Sequence, residues 1–147
     1  MYDYEDYIGI GNFGKIFPQF YHRPKDAIKH LRKVQEGECP GALYRSDIGD
    51  IDLVWGEVTN YVKHTGYGLA HIIDKHGEDI KALGFEVEDF IPIVVQYGNL
   101  RLSKSGEEYL LESKMFRVVI ERYYNGSPKQ WVLTTFDLRK KPSQTRW

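Results

Sequence analysis

The chain has a single cysteine, Cys39, so it holds no internal disulfide framework and no multi-cysteine zinc site. Cys39 sits in "EGECPGA", a turn-like setting without the neighbouring base that a nucleophilic thiol needs. Charge of one sign is missing too: 20 basic and 21 acidic side chains leave a net charge of −1. No global field draws the protein onto nucleic acid, and anion binding must rest on a local patch. No apolar run approaches the roughly 20 residues that cross a bilayer. The start, "MYDYEDYIGIGNFG", lacks the basic and apolar regions of a secretion signal, so a cytoplasmic protein without membrane association is expected. "GIGNFGKIF" has the glycines of a phosphate loop but no preceding strand and no Lys-Ser/Thr pair, and reads as plain loop.

Aromatic residues are plentiful, at 14% of 147 residues, and 41% of the chain is hydrophobic. That suits one folded domain over residues 1–147. In "RPKDAIKHLRKVQEGE" the residues Ala27, Ile28, Leu31 and Val34 recur at helical spacing between Pro24 and Gly37, leaving a basic outer face. "GALYRSDIGDIDLVWGE" suggests a short strand at Leu43–Tyr44 and a second through Ile51, Leu53 and Trp55. "EVTNYVKHTGYG" reads as loop. "LAHIIDKHGEDIKALG" is helical with Gly84 as its stop, and "EVEDFIPIVVQYG" is a short helix that Pro92 either opens or breaks. The last third is β-rich. "LRLSKSGEEYLLES" carries a Ser-Gly turn, and Asn125-Gly126 joins two long strands as a hairpin. The basic tail "RKKPSQTRW" is expected to fray. The fold class is α+β, with N-terminal helices packed on a C-terminal antiparallel sheet of about four strands.

The chemistry concentrates in "GYGLAHIIDKHG". His71 and Lys75 are four apart and share a helix face. His71 and His76 are five apart, which turns them roughly 140° from each other and does not suit a shared metal. A zinc hydrolase through His64, His71 and His76 is the weaker reading, and no metal or cofactor is expected. A histidine in the first turn of a helix, at the edge of the fold, suits acid–base work. On the hairpin, Arg117, Val119 and Glu121 share one strand face. Val132, Thr134 and Phe136 alternate with Trp131, Leu133 and Thr135, so one hydroxyl emerges on each face. Histidine, lysine, arginine and a hydroxyl suit RNA cleavage by attack of the 2′-hydroxyl, which needs a base, an acid and cations but no metal. The plainer reading is a structural helix histidine and a common β-forming threonine. Tyr2, Tyr4 and Tyr7, among Asp3, Glu5 and Asp6, read as a cover over the core edge or as a mimic of nucleic acid toward a partner, rather than a stacking surface for bases.

"GYGLAHIIDKH", preceded by "IGDIDLVWG" and followed by "KMFRVVIERYYNGSPKQWVLTTFD", resembles the phage-associated branch of the barnase–EndoU–colicin–RelE-like nucleases, over about residues 25–137. The resemblance implies a small α+β fold and metal-independent RNA cleavage, by a toxin or phage effector with an immunity or antitoxin partner. It implies His71 as general base or acid, with Lys75 and His76 at the end of the helix motif. Arg117 would hold the phosphate, and Thr134 or Thr135 would touch the phosphate or the leaving oxygen. Without a long basic tail, a structured target such as tRNA is expected, held by a patch of Lys75, Lys114, Arg117, Arg101 and Lys104. A non-catalytic phage accessory or an RNA- or partner-binding module of the same fold is the alternative.

Overall fold

The computed structural model describes residues 7–139. Ten strands and three helices follow in the order β1 (Ile10–Gly11), β2 (Gly14–Lys15), α1 (Pro24–Val34), β3 (Glu38–Arg45), β4 (Gly49–Val54), β5 (Glu57–Asn60), β6 (Thr65–Tyr67), α2 (Gly68–Ala82), α3 (Val87–Tyr97), β7 (Asn99–Leu102), β8 (Glu108–Glu112), β9 (Phe116–Tyr124) and β10 (Ser127–Asp137). The expected layout of helices first and about four antiparallel strands later is corrected. Six strands form one sheet in the order β3-β4-β10-β9-β8-β7. It is mixed, because β4 and β10 run parallel where Asp52 pairs with Trp131, and antiparallel elsewhere. The extra strands come from "ECPGALYR" and "GDIDLV", which precede two of the helices. Cys39 lies in β3, fully buried, and burial pushes its thiol well above the ordinary range.

Helix α1 forms as its spacing predicts. Pro24 opens it, and Gln35 closes it in a left-handed conformation two residues before Gly37. Its apolar stripe, Ala27, Ile28 and Leu31, is buried. Pro92 neither opens nor breaks α3; it lies mid-helix, where the buried Val87, Phe90, Ile91, Val94 and Val95 hold the helix on the core. Residues 57–67, read as loop, are a small hairpin of β5 and β6 with exposed strands and no apolar alternation to betray it. Asn60 accepts hydrogen bonds from the backbone of Val62 and Lys63, and His64 Nδ1 lies 2.8 Å from Asp74 on α2. Glycine-rich residues 8–16 form the tiny β1–β2 hairpin, whose Phe13 ring packs at 5.0 Å from Trp131. Tyr7 meets Phe17 edge-on, at the rim of the core. The remaining acidic and aromatic N-terminal residues, 1–6, and residues 140–147 of the basic tail lie outside the described residues.

Helices α1 and α3 cover one face of the sheet, against Leu43, Ile51, Leu111, Phe116, Val118, Ile120 and Val132. Helix α2 sits differently. Beyond Trp131, strand β10 has no strand partner on the β4 side, and α2 lies there. Two glycines plant it. Gly56, after β4, has φ +76°, and a Cβ there would collide with the carbonyl oxygen of Tyr67; Gly68 has φ +77°, and its Cβ would meet the Trp55 oxygen at 2.7 Å. The same Trp55 oxygen accepts a 2.8 Å hydrogen bond from the Ala70 N–H, one of the first-turn donors that a helix cannot satisfy internally.

Gly56→Ala is expected to destabilise the fold by more than about 1–3 kcal/mol, the usual cost of holding a non-glycine residue in a sparsely populated backbone region, because a clash is added. Gly106→Ala has the same sign of φ and open space around it, and is expected to cost about 1 kcal/mol. Denaturant midpoints of the two variants check this, and equal losses contradict it.

Candidate active site

The His71–Lys75 row of α2 faces the end of β10 in matching steps. Four helical residues rise about 6 Å, and two strand residues advance about 6.6 Å. His71 Nε2 lies 2.8 Å from Thr134 Oγ1, and Lys75 Nζ lies 5.0 Å above the Phe136 ring. His76 turns away from this row. Its Nε2 donates to the Thr135 carbonyl at 3.2 Å, and its ring meets Phe116 edge-on within the core. His64, His71 and His76 thus have three different partners.

The strand pattern needs one correction. Strict alternation places Val132, Thr134 and Phe136 on one face, but the β9–β10 register shifts between Val132 and Thr134. Leu133 is the extra residue of the bulge. Val132 therefore pairs with Ile120 in the core, whereas Thr134 pairs with Val119 and Phe136 with Arg117 on the face away from α1 and α3. Thr135 returns to the core side, where it is fully buried and its hydroxyl has no hydrogen-bond partner.

Across the open face, cross-strand register lines up Phe136, Arg117, Glu112 and Asn99. Arg117 reaches Glu112 through Nε at 2.7 Å and Nη2 at 2.6 Å, and Arg101 Nε binds the other carboxylate oxygen at 3.0 Å. Hydrogen bonds from Arg101 and Arg117 hold the Glu112 carboxyl below its usual range. Lys114 is exposed in the turn after β8, at the Arg117 end. Lys104 is exposed in the turn before β8, at the far end of a five-residue strand that spans roughly 17 Å, and does not join the patch. Glu112 and Phe136, which neither motif nor spacing singles out, complete the line because register places them beside Arg117.

The electrostatics differ from an exposed basic edge. His71 was expected at the rim of the fold, yet it is only 4% exposed. Burial first, then the positive charge of Lys75, lowers its pKa from 6.5 to about 4. Burial likewise lowers the Lys75 ammonium, and burial with Lys75 lowers His76. The imidazole is neutral at neutral pH, and its Nδ1 has no hydrogen-bond partner. Its hydrogen-bond neighbour Thr134 is partly exposed.

The sheet face away from α1 and α3 carries a buried imidazole, a hydroxyl and two guanidinium groups in an α+β domain. The family described as phage-Barnase-EndoU-ColicinE5/D-RelE like nuclease1 matches residues 42–142, and the chain belongs to it. No curated protein and no solved structure matches the chain. Among the described residues, no helix is long and apolar enough to cross a membrane.

In the unfolded chain His71 protonates near 6.5, and in the fold only near 4. Between those values the unfolded state binds more protons, so stability rises with pH. It is complete above about pH 6.5 and falls by on the order of 3 kcal/mol as pH drops to 4, with His76 acting in the same direction. Urea midpoints between pH 7 and 4.5 measure this. His71→Asn flattens the slope, and a wild type equally stable at both ends contradicts the buried neutral ring.

Proposed function

We propose that the domain is an endoribonuclease that cleaves RNA without a metal, through attack of the 2′-hydroxyl on the adjacent phosphodiester. The observation that carries this reading is the 2.8 Å contact of His71 with Thr134, flanked on one open face by Lys75 and Arg117. The nucleophile belongs to the substrate, so the protein needs a proton acceptor and cations for the charged pentacoordinate phosphorus. Thr134 Oγ1 takes the 2′ proton while its own proton passes to His71 Nε2. An imidazole kept neutral accepts it without first losing one. The negative charge of the bound phosphodiester opposes the repulsion from Lys75 and moves the ring back toward neutral-pH proton exchange.

Arg117 and Lys75 contact the non-bridging oxygens. Arg117 is held in place by Glu112 through Nε and Nη2, and its guanidinium supplies a charge that cannot be lost. Arg101 and Lys114 extend the cationic line along the RNA backbone. The products are a 2′,3′-cyclic phosphate and a 5′-hydroxyl. With a net charge of −1, binding rests on this patch alone, which favours a structured RNA such as tRNA over any RNA. A cytoplasmic toxin or phage effector held in check by an immunity or antitoxin protein fits that chemistry. His76 and Thr135 take no direct part in this reading, since both lie on the core side, away from Thr134 and Arg117. Lys104 lies too far along the sheet to join the same phosphate.

One observation favours a second reading. The buried ring of His71 and the Arg117–Glu112 pair also fit a binding module that keeps the fold and has lost the chemistry. RNA with EDTA separates the two. The nuclease cuts, and His71→Ala or Thr134→Val slows it about 10²–10⁴-fold, the usual worth of a proton-transfer group. Retention of RNA without cutting supports the module, and undiminished cutting by both variants ends the relay.

A further inference from the structure

Among the described residues, Glu121 and its cross-strand neighbour Glu108 have no cation paired with them. Glu112 has two arginines, Glu88 has Arg32, and Lys129 bridges Glu38 and Asp52 at 2.6 Å each. Among the described residues, no cation pairs with Glu121. On β8 it faces Glu108 directly, with Glu107 in the preceding turn, and on β10 it faces the uncharged Trp131. Like charges opposite each other across a ladder destabilise a sheet, so the fold gains nothing from this arrangement.

Its position relative to the relay is set by the same register that sets Arg117. Thr134 pairs with Val119, and Arg117 and Glu121 lie two residues to either side of Val119 on the same strand face. Each is diagonal to Thr134, where Cβ atoms stand about 7–8 Å apart. A phosphodiester that reaches Thr134 has the guanidinium on one flank and the carboxyl on the other. Resting on the nuclease reading above, we propose that Glu121 is the general acid of the cleavage, giving its proton to the departing 5′-oxygen. Burial, then Glu108 and Glu107, hold that carboxyl above its usual range, while burial and Lys75 depress His71. The two groups are pushed in opposite directions, which suits the imidazole as acceptor and the carboxyl as donor.

The step balances. The 2′-oxygen bonds to phosphorus and its proton moves through Thr134 to His71. The P–O5′ bond breaks, and the 5′-oxygen takes the proton of Glu121. Solvent then returns a proton to the carboxylate and removes one from the imidazolium.

A bridging 5′-sulfur tests the role, because a thiolate leaves without protonation. On an all-oxygen RNA dinucleotide Glu121→Gln is expected to lose about a hundredfold in rate, and Glu121→Asp to recover part of it. On the 5′-thio analogue Glu121→Gln cleaves as fast as the wild type, while Thr134→Val remains slow. Glu108→Gln keeps the maximal rate and moves the alkaline limb of the pH profile to lower pH, since one of the charges opposing ionisation is gone. Full activity of Glu121→Gln on oxygen overturns the assignment, as does an equal loss on both substrates, which marks a structural role. A wild type inactive on both overturns the nuclease reading and this inference with it.

Discussion

The candidate site depends on one close backbone contact, where Trp55-Gly56 crosses Tyr67-Gly68. Any side chain at either glycine would occupy space held by the opposing carbonyl. This contact, with the Ala70 N–H bonded to the Trp55 oxygen, fixes the first turn of α2 to the end of β4. Helix α2 is then held along the side of β10 that lacks a strand partner. From there one row of the helix faces the open side of the sheet and another faces the core. His71 and Lys75 lie on the first row, and Ile72, His76 and Ile80 on the second. The edge carbonyl of Thr135 gains its partner from His76 rather than from a neighbouring strand. The same placement therefore closes an exposed strand edge and assembles the site.

The open face is tuned by burial more than by net charge. The imidazole of His71 and the ammonium of Lys75 are held toward their neutral forms, while Glu121 is held toward its protonated form. Arg117, which cannot lose its charge, sits beside Phe136 at one end of this row with Glu112 to orient it, and Glu121 lies at the other end. The proton affinities of His71 and Lys75 are pushed down and that of the carboxyl is pushed up, which favours neutral forms of both kinds on neighbouring positions. The protein carries no overall positive field, and its cations are local and geometrically ordered. Under the proposed reaction, that favours recognition of one phosphate at a defined position over loose attraction to polyanion.

Much of the α2 side of this arrangement is legible in the sequence. Glycines bracket the helix, its apolar rows repeat at 3.6 residues, and His71 and Lys75 sit one turn apart. Asn125-Gly126 announces the long hairpin just as directly. The β-sheet side is far less legible. The bulge at Leu133 reverses which neighbours accompany Thr134, and no local sequence feature signals it. The pairing of Glu121 with Glu108, and of Arg117 with Glu112, arises between strands whose order only the fold supplies. Residues 57–67 hide their hairpin because it is built from an Asn60 side-chain turn and a His64–Asp74 contact, not from apolar alternation. Burial of His71 is hidden for a related reason: the helix end was expected at an edge, and the edge is closed by β10.

Cleavage of an RNA oligonucleotide and of its twin carrying a single 2′-deoxy sugar at the cut position, both in EDTA with product ends read by mass spectrometry, tests the central claim most directly. The account predicts 2′,3′-cyclic phosphate ends from the first and an intact second. Equal cutting of both, or 5′-phosphate ends, would contradict it.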